Sequence, residues 1–341
     1  AIAGAVAVAV FLAGAAGTLV PGAPADAATI DVGWVQGGAS GEGFYGLGEA
    51  GQTTLNHAAQ TRTLMAQVAA GRYPSPAFIV WPENGTDSDP FVDATANKVL
   101  ADAVADAGVP ILVGVPTNGP EAGERQTTDL WWTNAGAVAR YDKRDLVPFG
   151  EWIPFRDVLL PLIPILSVIG DQAIPGDKPG VLNVTGPDNR PLAVGVAICY
   201  EVAFADTMFD TANAGGEVVI VGSNNAMFQG TGQIEQQFAI TRVRAAEMRR
   251  EILVVTTSGI SGLIDDHGRV VLRGAESVAD SGVVTMTRTT VKSPELLGGW
   301  ALEYVIAALG LAALAVAAVG AVRGRGGQWT PGARPGQRRG R

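Results

Sequence analysis

The chain has 341 residues, is 47% hydrophobic and has a mean hydropathy of +0.22, enough for one large domain with a substantial core plus some membrane-embedded sequence. Its formal charge of −9 is unevenly spread. The last nineteen residues hold Arg323, Arg325, Arg334, Arg338, Arg339 and Arg341 and no acid, leaving 18 basic against 33 acidic side chains in the first 322. An acidic body argues against a nucleic-acid partner, because phosphate contacts need Lys and Arg on a shared face. One cysteine and two histidines exclude an internal disulfide and a Cys/His metal cluster, so no metal and no cofactor is expected.

The chain opens at Ala1 rather than Met, and residues 1–20 carry no charge. Twenty apolar residues at a helical rise of about 1.5 Å span the roughly 30 Å hydrocarbon core, so residues 1–22 read as a transmembrane helix. The small-residue run Ala23–Ala28 that follows also fits a cleaved signal peptide.

Between residues 29 and 298 the pattern is α/β. Apolar strand-like runs fall at Ile30–Gln36, Ala77–Trp81, Ile111–Val115, Leu192–Ile198, Val218–Val221 and Ile252–Thr256. They alternate with helical stretches near 52–70, 94–107, 203–214 and 233–250. Leu192–Ile198 and Val218–Val221 are apolar nearly throughout, as strands buried on both faces are. Gly262–Ile264 and Val270–Leu272 flank Asp265-Asp266-His267-Gly268 as a hairpin. His57, in a helical stretch, and His267, in that turn, are read as surface residues, which disfavours a Ser-His-Asp triad.

Residues 304–322 are again uncharged, with Trp300 and Tyr304 at one end and the arginine tail at the other. This predicts a second transmembrane helix over 300–322 and a cytoplasmic tail over 323–341. The catalytic region 29–298 then lies on the extracytoplasmic side of the cell membrane.

Three polar residues stand where apolar strands end, the usual place for reacting groups in α/β proteins. Phe78–Pro82 runs into Glu83, Leu192–Ile198 runs into Cys199, and Arg140-Tyr141-Asp142 leads to Lys143 at the end of a hairpin strand. Each is ambiguous alone: a lone cysteine after a strand is often inert core, and Glu83 and Lys143 fit solvated surface positions.

The ordered combination Trp81-Pro82-Glu83, Tyr141-Asp142-Lys143 and Ile198-Cys199-Tyr200-Glu201 resembles the nitrilase (carbon–nitrogen hydrolase) superfamily. The longer run Lys143-Arg144-Asp145-Leu146-Val147-Pro148-Phe149-Gly150-Glu151 is similar to the apolipoprotein N-acyltransferase branch of it, as are Val35-Gln36-Gly37, Asn224-Asn225-Ala226 and Arg242-Val243-Arg244-Ala245 with Glu247. The chain departs from the enterobacterial pattern at Met227-Phe228 and in the glycine-rich loop after Gln36, each lacking an expected tryptophan.

The resemblance implies an α-β-β-α sandwich flanked by transmembrane helices, in an N-terminally truncated chain. It implies a catalytic triad of Glu83 as base, Lys143 as oxyanion partner and Cys199 as nucleophile, with Glu151, Tyr200 and Glu201 in support. The chemistry suits these types. A thiol is only a few per cent ionised at neutral pH and needs a base, and an acyl carbon under attack needs a cation and N–H groups for its oxygen. The implied reaction takes an acyl chain from a phospholipid, through a Cys199 thioester, to the amine of a diacylglyceryl-prolipoprotein at the bilayer. Phe155–Gly170, apolar and broken by Pro161 and Pro164, is read either as an arm dipping into lipid or as a core-packing loop. Two other readings share the sequence: a small-substrate amidase or nitrilase, and a non-catalytic membrane-anchored binding module.

Overall fold

The computed structural model describes residues 22–38 and 49–325. The first apolar stretch, most of the glycine-rich loop after Gln36 and the end of the arginine tail lie outside the described residues. The chain divides into two compact units, one reaching Leu296 and one from Leu297 onward.

Among the described residues of the first unit, the strands form two mixed sheets. The first runs in the order β13 (Asp280–Thr287), β1 (Thr29–Gln36), β2 (Phe78–Trp81), β3 (Ile111–Asn118), β4 (Glu124–Thr133) and β5 (Gly136–Asp142), with the short β6 (Gln172–Ala173) beside β4. The second runs β12 (Val270–Arg273), β11 (Gly262–Ile264), β10 (Ile252–Thr256), β9 (Val218–Ser223), β8 (Pro191–Ile198) and β7 (Val181–Thr185). At the centre of each sheet three strands are parallel, β1-β2-β3 and β8-β9-β10. Parallel neighbours need crossovers, supplied by the helices Gln52–Ala69 and Ala94–Ala107 in one sheet and Ala205–Asn213 and Gln233–Met248 in the other.

Strand periodicity sorts the apolar residues into three clusters. Phe78 and Val80, Val194, Val196 and Ile198, Val218 and Ile220, and Leu253 and Val255 fill the space between the sheets. Their alternates Ile79 and Trp81 pack under the helices of the first sheet, and Ala197, Val219, Val221, Ile252 and Val254 under those of the second. The layers are therefore α-β-β-α, as the family resemblance implied.

Helix termini follow their local chemistry. Asp93 caps Ala94–Ala107, accepting from the N–H groups of Thr95 and Ala96, and Gly108 ends it at φ 69°. The helix Gln52–Ala69 is held by a residue from outside it: the Asp87 carboxylate accepts from Thr53 N (3.2 Å) and Thr54 Oγ1 (2.6 Å). That bond ties the loop after Glu83 to a rigid element.

His57 corrects the sequence reading: it is fully buried, not on the surface. Its face of the helix, Thr54, His57, Ala58, Thr61 and Leu64, has helical spacing but is built largely from polar residues, most of whose polar atoms are hydrogen-bonded, His57 Nε2 excepted. His57 Nδ1 donates to the Thr53 carbonyl (2.8 Å), Thr61 Oγ1 donates to the His57 carbonyl (2.8 Å), and Trp81 Nε1 donates to Thr61 Oγ1 (2.9 Å). Burial pushes the imidazole down from 6.5 to about 4, against the small opposing pull of the Thr53 carbonyl and Asp87.

The stability consequence has a definite sign. The unfolded chain takes up the proton near pH 6.5 and the folded one only near pH 4, so His57 costs nothing above 6.5 and destabilises as pH falls between the two values. By pH 4.5 the expected loss is about 2.5 kcal/mol. Urea unfolding at pH 7.5 and 4.5 should show this component in the wild type and not in His57→Gln.

His267 lies in the expected turn, where Asp265 Oδ1 accepts from the N–H groups of His267 (2.9 Å) and Arg269 (2.8 Å). Close by, the buried Arg250 donates to the carbonyls of Gly216 (2.8 Å), Thr289 and Val291 (3.2 Å). It fastens the segment that follows β13. The last helix runs Pro294–Arg325, starting before the predicted residue 300, and is interrupted by non-helical backbone at Gly298. Within it Glu303–Gly320 is long and apolar enough to cross a membrane, and its described side chains are exposed. It is the one such span among the described residues.

Candidate active site

Glu83, Lys143 and Cys199 follow the ends of β2, β5 and β8, so two arrive from one sheet and the third from the other. The turn carrying Glu83 lies flat against β3: Gly85 N donates to the Pro82 carbonyl (2.8 Å), and a Cβ on Gly114 would sit 2.5 Å from that oxygen and 2.6 Å from Glu83 Cα. Only glycine permits that approach. On the opposite side Asn224 N, just past β9, donates to Glu83 Oε2 (2.8 Å), and Thr257 Oγ1, just past β10, donates to the Glu83 carbonyl (3.3 Å). The Glu83 carboxylate thus bridges the two sheets.

Lys143 is buried, and its ammonium donates to Glu83 Oε1 (3.0 Å) and Glu151 Oε1 (2.8 Å). Burial alone would push it down, but the charges of Glu83, Cys199 and Glu151 outweigh burial, and the group is held above its ordinary value. Glu151 reaches Lys143 because its loop folds back on itself. Its N–H donates to the Val147 carbonyl (2.8 Å), and its Oε2 accepts from Val147 N (2.7 Å). The conspicuous Leu146–Glu151 run is therefore a turn that presents a carboxylate to Lys143.

Cys199 has φ 51°, a left-handed conformation costing a residue with a side chain roughly 1–2 kcal/mol. It turns the chain out of β8 into the 3-10 turn Cys199–Ala203. The fully buried Glu201 holds that turn: its carboxylate accepts from Ile198 N (2.6 Å), Arg144 N (2.6 Å) and Tyr141 Oη (2.7 Å). Glu201 so joins the Cys199 turn to the strand end bearing Lys143. Tyr200 is part-exposed beside the thiol and packs edge-on to Phe204 at 5.1 Å. The thiol, partly accessible, is pushed up to about 12, first by burial and then by Glu83, with Lys143 opposing.

The sequence reading missed two polar groups here. Asp129, in β4 opposite Gly114 and Tyr141, is buried, and its carboxyl is held well above the ordinary range by burial and then by Glu201 and Glu83. Its signal was a charge directly before the apolar Leu130-Trp131-Trp132 in a strand-like stretch. Gln237, on the helix Gln233–Met248, donates through Nε2 to Cys199 Sγ (3.4 Å). A glutamine on a helix gave no signal at all. Among the described residues no cluster of His, Cys, Asp and Glu is arranged to hold a metal ion.

Residues 50–293, which contain all three strand-end groups, match the carbon-nitrogen hydrolase family. The chain belongs to that family. Several curated relatives are named apolipoprotein N-acyltransferase. The apolipoprotein N-acyltransferase of Mycolicibacterium smegmatis is 34% identical over 229 residues, 64% of this chain and 36% of the relative. Those of Synechocystis sp. (38% over 133 residues, 39% and 24%) and Methylococcus capsulatus (34% over 198 residues, 57% and 37%) are similar too. The chain spans about a third of the length of these relatives. A solved amidase from Nesterenkonia sp. superposes with a TM-score of 0.53 at 15% identity, covering 79% of this chain and 92% of that one, a likeness of fold.

Proposed function

We propose that this carbon-nitrogen hydrolase domain transfers an acyl chain from a phospholipid, through a thioester on Cys199, to the N-terminal amine of a diacylglyceryl-cysteine lipoprotein. The observation that carries the choice of a lipid substrate is the segment after the Glu151 loop. It forms a helix, Arg156–Leu162, and a 3-10 turn, Pro164–Ile169, in which no residue is buried. Phe155, Val158, Leu162, Ile165 and Val168 are all exposed, with Leu162 at 72% and Ile165 at 71%. Exposed apolar surface of this kind marks an interaction site, and a small soluble amide needs none. Arg156 closes the base of the arm, donating to Gln172 Oε1 (3.1 Å) and the Gly170 carbonyl (2.8 Å). The apolar span Glu303–Gly320, followed by the arginine-rich tail, supports a bilayer setting with the tail on the cytoplasmic side.

In the proposed mechanism Glu83 takes the Cys199 proton and the sulfur attacks the ester carbon. The developing oxyanion meets the Tyr200 N–H and the Lys143 ammonium, whose three donors outnumber its two carboxylate acceptors by one. As the carbon–oxygen bond breaks, Glu83 returns the proton to the departing lysophospholipid. The lipoprotein amine then attacks the thioester, an amide bond forms, the carbon–sulfur bond breaks and the amine proton passes through Glu83 to the departing sulfur, restoring the Cys199 thiol. Glu151 holds Lys143 in place, while Glu201 and Tyr200 shape the nucleophile turn.

The test is direct. With phospholipid and a diacylglyceryl peptide, mass spectrometry should find N-acylated peptide and a chain bearing one acyl group on Cys199, and Cys199→Ala should give neither. Product formed equally by the variant sinks the mechanism. Hydrolysis of small amides without acyl transfer would select the amidase reading instead.

A further inference from the structure

Gln237 hydrogen-bonds the sulfur of Cys199, donating from Nε2 at 3.4 Å. It is not left to find that geometry alone. Its other amide atom, Oε1, accepts from Asn225 Nδ2 at 2.8 Å. Asn225 is buried and sits immediately after Asn224, whose N–H fixes Glu83. It is pressed against Gly259, where a Cβ would lie 2.5 Å from its Oδ1. Thr241 Oγ1, one turn on, donates to the Gln237 carbonyl (2.9 Å) within the helix Gln233–Met248. A chain of oriented amides thus runs from the end of β9 to the nucleophile.

We infer that Gln237, aligned by Asn225, is a catalytic residue that stabilises the Cys199 thiolate by hydrogen bonding. The deduction rests on the acyl-transfer reading for its place in turnover, but the thiolate claim stands without it.

The need for such a donor follows from the charges around the sulfur. Glu83 and Glu151 face it with negative charge, and the opposing Lys143 ammonium is shared between those same two carboxylates. The Ser223 hydroxyl, a side-chain partner of the thiol, also favours the thiolate, and Gln237 adds a second neutral donor. A neutral amide donor favours the thiolate without adding a second cation that would compete for Glu83. It acts in both half-reactions, because sulfur is the attacking atom in the first and the leaving atom in the second. Cooperative polarisation through Asn225 strengthens the bond.

The single cysteine makes the test clean, since alkylation of the full chain in detergent reads Cys199 alone. Rates of iodoacetamide modification are measured from pH 6.5 to 10 for wild type, Gln237→Met, Gln237→Glu and Asn225→Ala. Gln237→Met keeps the side-chain volume and removes the donor, and alkylation at pH 7.5 should fall about tenfold or more, as expected for losing a hydrogen bond to a charged group. The profile should move to higher pH by about one unit. Gln237→Glu should shift it further, and Asn225→Ala by less than Gln237→Met. Wild-type and Gln237→Met profiles that superimpose, with matching unfolding midpoints, overturn the inference. Altered alkylation together with absent acyl transfer in the wild type would instead refute the reaction and leave the thiolate role standing.

Discussion

Lys143→Met is expected to abolish acyl transfer, by at least about a thousandfold, and to destabilise the domain by about 3–5 kcal/mol. The two losses have one cause. The ammonium is buried between Glu83 and Glu151, which are themselves nearly buried, so removing it strands two carboxylates in an interior they occupy only as partners. The same change deletes the cation that opposes burial at the Cys199 thiol and the donor proposed for the oxyanion. Thermal or urea unfolding with turnover assays separates the effects. The double variant Lys143→Met/Glu151→Gln should recover part of the stability and none of the activity. The pH dependence has a fixed sign. The folded value of Lys143 lies above its ordinary 10.5, so its stabilisation is complete below about 10.5 and is lost only as pH rises through the folded value. Neutral buffers should leave this contribution unchanged.

Glu83→Gln is expected to lower turnover by about a hundred- to ten-thousandfold, the range for loss of a general base. It is not a silent substitution for folding. Both carboxylate oxygens accept, one from Lys143 and the other from Asn224 N, whereas an amide presents one oxygen and one NH2. Whichever way the amide turns, a donor faces a donor, and a further loss of about 1–3 kcal/mol follows. Single-turnover assays should show the acyl-enzyme forming slowly, and the unfolding midpoint should fall as well. An unchanged rate of Cys199 acylation in this variant would remove Glu83 from the role of base.

The parallel core was legible because period and burial agree in it. Strands such as Leu192–Ile198 and Val218–Val221 are apolar on both faces, and the structure extends each by only a residue or two, to Pro191–Ile198 and Val218–Ser223. Glu83, Lys143 and Cys199 were legible for a related reason, since a polar residue directly after a buried strand has one place to go. What sequence could not give was carried by polar burial. The His57 face of its helix is filled with threonines whose hydroxyls bond within the cluster, so no apolar stripe announces it. Edge strands such as Val181–Thr185 have no apolar pattern strong enough to mark them, their described burial alternating with exposed positions. Gln237 became visible only when the helix was docked and its amide met the sulfur.

The Glu83 carboxylate, reaching from one sheet to a backbone N–H of the other, makes the centre divisible by a single cut between the sheets. The loop 174–180 connects β6 to β7, and every strand before it belongs to the first sheet. A cut there leaves Glu83 and Lys143 on one fragment and Cys199, the proposed nucleophile, on the other. The second fragment also keeps β13, which must return to pair with β1 along eight residues from Thr29 to Gln36. Neither piece holds a complete centre, and the returning strand supplies the latch between them. Acyl transfer regained on mixing would therefore be a two-fragment complementation signal for reassembly of the sandwich.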